Sequence, residues 1–206
     1  MSPARIAHLA VAFAALAGII LSYAAGPSAP VAQPWRMLRF LSFFTILTNA
    51  LALLAAVGRA LPADHRWHRL AARPGLRTAL ALDLSVVALI FHLLLAHMVR
   101  PGLSGWAGNL LVHQAVPMGW LLCWLCFGPH GGIDARAPLR WLVYPLLFAG
   151  WTLIHGAIGG WYPYPFMDVA RFGYPAVVRN VALIGLLFFL LGHALRRVDA
   201  RLARRG

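Results

Sequence analysis

Six stretches of about 20 mostly apolar residues recur along the chain, and they constrain its fold more than any other feature. Each is long enough to cross the ~30 Å hydrocarbon core of a bilayer as a helix. They cover residues 6–25, 38–58, 76–99, 107–127, 138–157 and 175–195. Hydrophobic residues make up 61% of the chain, and only five of 206 side chains are acidic. The sequence therefore predicts an all-α polytopic membrane protein, with one six-helix transmembrane domain over residues 1–206.

The net charge of +13 comes from 18 basic residues, all of them arginine. Most of these arginines fall on one side of the predicted spans, and the other side holds only Arg36, Arg39, Arg100, Arg171 and Arg179. By the positive-inside rule, both termini are then cytoplasmic. Basic loops facing anionic lipid account for the charge, so we expect membrane lipids and no nucleic acid as partners. The absence of lysine is typical of an Arg-biased bacterial genome, which predicts the bacterial inner (plasma) membrane.

The first apolar stretch follows a basic start, as in a signal peptide. Its apolar run is longer than the 7–15 residues of a signal-peptide core, and five further spans follow it. We therefore expect a retained first helix.

Polar side chains are spaced along the second and fourth spans as they would be on one helix face. Ser42, Thr45 and Asn49 stand at i, i+3 and i+7, and Asn109 and His113 at i, i+4. A polar stripe within a bilayer is costly unless it faces protein or a cavity. The spacing therefore predicts that these hydroxyls and this imidazole face the interior of the bundle.

Most intramembrane polar residues also share one depth. At 1.5 Å per residue, the outer half of the membrane contains nearly all of them, whereas Asp83 and His193 fall in the inner half. The outer set is Ser42, Thr45, Asn49, His92, His113, His155, Arg179 and Asn180. A single hydroxyl commonly bonds its own helix backbone, but convergence on five spans indicates a site.

A hydroxyl becomes a useful nucleophile when a neighbouring imidazole accepts its proton. Ser42 or Thr45 with His113 meets that requirement, and attack on an ester would create an oxyanion that needs donors. No acidic residue lies at this depth within a span, so the sequence predicts a dyad that needs no cofactor. Candidate donors are Asn49, His92, Asn109 and Arg179, and with His155 and Asn180 they form the predicted substrate-binding set.

Three segments together resemble a known family: Arg39-Phe40-Leu41-Ser42-Phe43, Asn109-x-x-x-His113 and Tyr164-Pro165-Phe166. In order and spacing the chain is similar to the androgen-induced and androgen-dependent membrane proteins, six-span hydrolases of fatty acid esters of hydroxy fatty acids, and more so to their bacterial relatives. The resemblance implies a threonine nucleophile on span two and a histidine base on span four. The alignment places Ser42 at the threonine position and His113 at the histidine. Because serine stands where threonine is expected and Thr45 lies one turn deeper, both hydroxyls remain candidates.

The depth asymmetry also predicts how a lipid ester would lie. Its ester would be near the depth of Ser42, with acyl tails running toward the cytoplasmic side between spans two, three and four. Arg179 would either hold an anionic head group or extend to the interface.

Three other functions fit parts of the pattern. A haem or metal protein would use histidines facing each other between spans, drawn from His92, His97, His113 and His155. A small transporter would need repeats or matching broken helices, which the sequence lacks. A rhomboid-like protease is suggested by Gly102-Leu103-Ser104-Gly105, although turn propensity also explains that tetrapeptide.

Overall fold

The computed structural model describes residues 1–26, 33–98 and 102–204, and it gives only the backbone of Gln33, Pro34, Leu103 and Ser104. The predicted end of span three at residue 99, Arg100 and the side chain of Ser104 therefore lie outside the described residues. Within the described part, the chain is helical and contains no strand. This confirms an all-α polytopic architecture.

The helices follow the predicted apolar stretches closely. They are α1 (Pro3–Ala24), α2 (Gln33–Leu41), α3 (Phe44–Ala60), α4 (Arg66–Ala71), α5 (Pro74–Ile90), α6 (Leu103–Leu110), α7 (Val116–Cys126), α8 (Ala137–Trp141), α9 (Val143–Gly159) and α10 (Val169–Leu202). A π-helical turn, Phe91–Leu95, extends α5, and another, Leu111–Ala115, joins α6 to α7.

Among the described residues, five helical segments are long and apolar enough to cross a membrane: Pro3–Ala24, Pro74–Met98, Gly105–Cys126, Ala137–Gly159 and Val169–Leu202. Counted as one span, the bent pair Trp35–Leu41 and Phe44–Ala60 is the sixth. The protein is thus an integral membrane protein whose spans match the sequence prediction, except that span two is not one continuous helix.

The break in span two has a local cause. The Ser42 hydroxyl donates a hydrogen bond to the Leu38 carbonyl four residues earlier, at 2.8 Å, a contact that bends helices. Phe43 then adopts an extended backbone conformation with φ −90° and ψ 126°. The two helices meet at 75°. The predicted single face shared by Ser42, Thr45 and Asn49 is therefore wrong, because Ser42 precedes the break.

The long last helix contains a second break. Gly173 has φ 73° and ψ 160°, a backbone conformation that is available essentially only to glycine. Pro175, two residues later, has no N–H to donate. The regular helical part of α10 therefore begins after this turn, close to the predicted start at residue 175.

The beginning of α1 and the end of α10 lie at the same end of the bundle. His8 packs against Phe127, and Gly131 lies against Ala203. We call this the terminal end and the other the opposite end. The opposite end is the one predicted to face outward.

Two apolar cores hold the helices together. The first joins α1, α3, α5 and α7, and small residues such as Ala15, Ala52 and Ala81 allow close helix approach. The second joins α3, α5, α9 and α10 around aromatic rings, including Phe44, Phe148 and Phe188. Helix α3 contributes to both cores, so its polar side chains lie where the cores meet.

Candidate active site

Thr45 and His113 are in direct contact inside the bundle. The Thr45 hydroxyl oxygen lies 3.4 Å from Nε2 of His113, and both side chains are buried. This distance is long for a catalytic hydrogen bond, but such bonds commonly tighten when substrate binds. The structure therefore pairs one of the two predicted hydroxyls with the predicted base.

The hydrogen bond of Nδ1 determines where His113 carries its proton. It leaves Nε2, which faces Thr45, as a hydrogen-bond acceptor. Nδ1 lies 3.2 Å from the Asn109 carbonyl oxygen, which can only accept a hydrogen bond. Nδ1 therefore carries the proton in the neutral ring, and the Nε2 lone pair faces the Thr45 hydroxyl. The Phe91 ring stacks on the imidazole at 3.7 Å between centroids and 14° between planes, which fixes the ring orientation.

The local sequence explains the unusual helix geometry around His113. Pro117 has no N–H to donate to the His113 carbonyl four residues earlier. The helix accommodates this as the π turn Leu111–Ala115, closed by the Val116 N–H donating to the Leu111 carbonyl. Phe91 begins the other π turn, so two π turns face each other here, and such turns are frequent at functional sites.

Ser42 has other partners. Besides its bond to Leu38, the Ser42 oxygen accepts a hydrogen bond from Nε1 of Trp151 at 3.4 Å. The side chain is 1% exposed and belongs to the break in span two. Of the two predicted nucleophiles, the contact with His113 favours Thr45.

The break also creates a helix N-terminus beside Thr45. Thr45 is the second residue of α3, and its N–H donates to the hydroxyl of Tyr164 at 3.4 Å. Burial raises the pKa of Tyr164, while hydrogen bonds from Thr45 and the N–H of Phe44 act the other way. Groups that favour an anionic phenolate oxygen at this point would also favour the oxyanion of an attacked ester.

Asn49 holds the Thr45 turn against span four. Its Nδ2 donates to the Thr45 carbonyl at 2.8 Å and to the Val112 carbonyl at 3.1 Å. Asn49 is fully buried. It therefore fixes the position of Thr45 relative to the helix that holds His113.

Thr45 lies between two cavities. The larger has a volume of about 840 Å³ and lies toward the opposite end of the bundle, where Thr45, His113 and Asn109 contribute to its wall. The smaller, about 80 Å³, is lined by α5, α9, α10 and the start of α3. Of its described lining residues, only Thr45 and Tyr164 have polar side chains. We call these the large cavity and the apolar chamber.

Two arginines line the large cavity. Arg36 donates to the Tyr23 carbonyl at 2.8 Å and lies 4.6 Å over the ring of Tyr23. Arg39 lies 5.3 Å over the Trp161 ring. Both arginines belong to α2, the short helix before the break. No salt bridge to either arginine occurs among the described residues.

Four residues of the predicted substrate-binding set lie elsewhere. His92 and Arg179 are exposed. The described residues that line the two cavities do not include His92, His155, Arg179 or Asn180. His92 belongs to the π turn Phe91–Leu95, and its Nδ1 bonds the Ala88 carbonyl. Asn180 donates to the Phe166 carbonyl at 2.9 Å and so holds a loop. Of the predicted set, Asn109 lines the large cavity and Asn49 supports Thr45 from below.

The facing histidines that haem ligation would need are not found among the described residues. Phe91, rather than His92, covers the face of His113. The described residues contain no cluster of three or more His, Cys, Asp or Glu side chains suited to a metal ion.

Comparison of the chain with known protein families, curated proteins and solved structures finds no match.

Proposed function

We propose that the protein hydrolyses lipid-like esters within the membrane, with Thr45 as nucleophile and His113 as general base. The observation that supports this most directly is the buried contact between the Thr45 hydroxyl and the acceptor nitrogen of His113 at the wall of a cavity. A base-activated hydroxyl beside a substrate-sized space is the arrangement that acyl transfer requires.

The reaction proceeds in two halves. Thr45 Oγ1 attacks the ester carbonyl carbon while its proton passes to Nε2 of His113, and the carbonyl electron pair becomes an oxyanion. Collapse of this intermediate breaks the ester C–O bond, and His113 returns the proton to the leaving alcohol. Water then attacks the acyl-threonine with His113 again accepting its proton. Collapse of this second intermediate breaks the bond between the acyl carbon and Thr45 Oγ1, His113 returns its proton to that oxygen, and the carboxylic acid leaves.

Tyr164 and the start of α3 supply the oxyanion donors. Because the Tyr164 hydroxyl accepts from the Thr45 N–H, its own proton is available to donate to a ligand oxygen. This replaces the donors expected from the sequence: the Asn49 amide already donates to the Thr45 and Val112 carbonyls, and His92 and Arg179 are exposed.

The acyl and alcohol parts of the ester bind in different cavities. The first carbons of an acyl chain would enter the apolar chamber, and the alcohol part would occupy the large cavity, whose volume lies within the usual range of ligand sites. Since the chamber lies among spans three, five and six, the acyl chain runs there and not between spans two, three and four as first expected. The cations of Arg36 and Arg39 suit an anionic group on the alcohol part.

The arrangement agrees with the hydrolase family that the sequence resembles, which uses a threonine on span two and a histidine on span four. In this chain Thr45 takes the threonine's role, one turn beyond the position that simple alignment assigns to Ser42. We place the enzyme in a bacterial inner membrane.

Turnover of an activated acyl ester such as p-nitrophenyl octanoate, by the purified protein in lipid nanodiscs, tests the proposal. The matched control is the doubly substituted protein Thr45→Ala, His113→Ala in the same nanodiscs. We expect turnover by the wild type and background rates from the control. Equal rates from the two proteins would overturn the hydrolase proposal.

The arginine pair gives a separate prediction. Arg36→Gln with Arg39→Gln should raise KM for esters whose alcohol part carries a carboxylate or phosphate by about tenfold, because an ion pair in a partly desolvated site is lost. KM for a neutral ester should stay within about twofold. Arg179→Gln, an exposed arginine near the same end of the bundle, is the control. An equal loss for neutral and anionic esters would contradict the assigned role.

A further inference from the structure

The apolar chamber is open on the side where α9 and α10 form its wall. Each helix contributes residues from one face, spaced at i, i+3 and i+4. Leu146 lines the chamber and is also 53% exposed. A Cβ atom added at Gly185 would have no atom of another helix within 4 Å. We call this opening the lateral window, and it is bordered by Leu142, Pro145 and Leu146 at the start of α9 and by Val181, Ile184 and Gly185 of α10.

The window exists because α9 and α10 are held to α3 rather than to each other. The Phe44 ring packs against Phe148 of α9 at 5.2 Å and against Phe188 of α10 at 6.0 Å between centroids. Among the described residues, no hydrogen bond and no ring contact joins α9 directly to α10. Both helices therefore rest on the residue before Thr45, and the space between them remains open.

The window is confined to the level of the chamber. About two turns farther along α10, a Cβ atom added at Gly192 would lie 3.3 Å from side-chain atoms of Leu82 and Pro138, so the helix is closely packed there. At the level of the window, Leu183 and Leu186 of α10 are 59% and 52% exposed. These side chains face lipid in a membrane-spanning segment. The window therefore connects the chamber with the hydrocarbon core of the bilayer.

The chamber is too small to hold a long acyl chain by itself. Its volume of about 80 Å³ is well below the ~300–1,000 Å³ of small-molecule sites. Because Thr45 lines the chamber, the carbons next to an ester carbonyl at Thr45 would enter it. Later carbons need a route out, and lipid tails are as apolar as the leucines at the window.

We propose that the acyl chain of the substrate leaves the chamber through the lateral window and that its far end lies among the lipid tails. The inference rests on the proposed function, because it takes Thr45 as the point where the ester is held. The protein then binds only the first acyl carbons and does not select for chain length. Its substrates include esters of long-chain acids that remain partly in the bilayer during the reaction.

The test uses p-nitrophenyl acetate, octanoate and hexadecanoate, with the two longer esters supplied in nanodisc lipid at equal mole fraction. The wild type should hydrolyse hexadecanoate within about threefold of octanoate in kcat/KM, because both chains make the same contacts with the protein. Gly185→Phe places a ring in the window. This variant should lower kcat/KM for hexadecanoate by at least about tenfold and keep that for acetate within about threefold of wild type.

Gly150→Phe is the matched control. Gly150 lies on α9, and a Cβ atom added there also has open space around it. Gly150 is not among the described residues that line the chamber. This variant should therefore hydrolyse all three esters within about threefold of wild type.

A second measurement does not depend on hydrolysis. Palmitic acid that carries a diazirine in the middle of its chain should crosslink to Leu146 or Ile184 in the wild type. An excess of unlabelled palmitic acid should suppress these adducts. Gly185→Phe should lose them, and Gly150→Phe should keep them.

The outcomes separate the window from the hydrolase. A steep fall in wild-type activity from octanoate to hexadecanoate, or hexadecanoate hydrolysis by Gly185→Phe equal to that of the wild type or of Gly150→Phe, would overturn the window and leave the hydrolase intact. Absence of suppressible adducts on Leu146 and Ile184 would also overturn the window. Adducts without hydrolysis of any ester would overturn the proposed function and retain the window as an acyl-chain site.

Discussion

His113→Gln should lower kcat for ester hydrolysis by about 10²–10⁴-fold, the usual effect of losing a general base. Glutamine is close to histidine in size and polarity, but it cannot accept a proton from Thr45. Because Nδ1 of His113 bonds the Asn109 carbonyl, a glutamine amide can keep that contact and hold the π turn. The loss should therefore fall on kcat, with KM changed by less than about threefold.

The matched control is His92→Gln, on the neighbouring span. His92 is exposed and bonds only its own helix, so this variant should keep wild-type turnover. Both variants are compared for yield and for thermal unfolding in nanodiscs. Near-wild-type turnover by well-folded His113→Gln, or equal losses in the two variants, would contradict the assignment of the base.

Thr45→Ala should reduce turnover by at least about 10²-fold, because it removes the oxygen that bonds to the acyl group. Thr45→Ser keeps a hydroxyl on the same backbone and should retain most of the activity. These variants leave the N–H of residue 45 in place, so the contact with Tyr164 is preserved. The measurement is kcat with an activated ester.

Ser42→Ala is the control variant with which Thr45→Ala is compared. The Ser42 hydroxyl bonds Leu38 and Trp151, so its loss should affect stability more than turnover. If Ser42→Ala abolishes hydrolysis in a folded protein and Thr45→Ala does not, the nucleophile is Ser42, as the alignment implied.

The membrane spans were predictable because they depend on the length of an apolar stretch along the chain. About 20 apolar residues in sequence are needed to cross the bilayer, and this length is visible without knowledge of contacts. Each of the six predicted stretches corresponds to a helix or, for span two, to a bent pair of helices.

The geometry within span two was not predictable from spacing. Helical periodicity places Ser42 and Thr45 on one face only if the helix is continuous. The helix is interrupted because the Ser42 hydroxyl bonds the Leu38 carbonyl of its own helix and because the backbone of Phe43 is extended. The sequence contains the signal for the other distortion, because Pro117 stands four residues after His113.

Which arginine lines the cavity was not predictable for a related reason. Depth alone made Arg179 the anion-binding candidate, but depth does not specify which way a helix face points, and Arg179 is exposed. Arg36 and Arg39 lie at the opposite end of the bundle, and the bend in span two brings α2 over the cavity. Tyr164 lies in a loop, whose path no periodicity predicts.

Covalent labelling with a fluorophosphonate probe, followed by mass-spectrometric mapping of the modified residue, tests the central claim most directly. The probe forms a bond to a base-activated hydroxyl oxygen and expels fluoride, so it reports the nucleophile itself. The account predicts a single adduct on Thr45 that depends on His113. An adduct on Ser42 or Ser104, or an unlabelled wild-type protein, would contradict it.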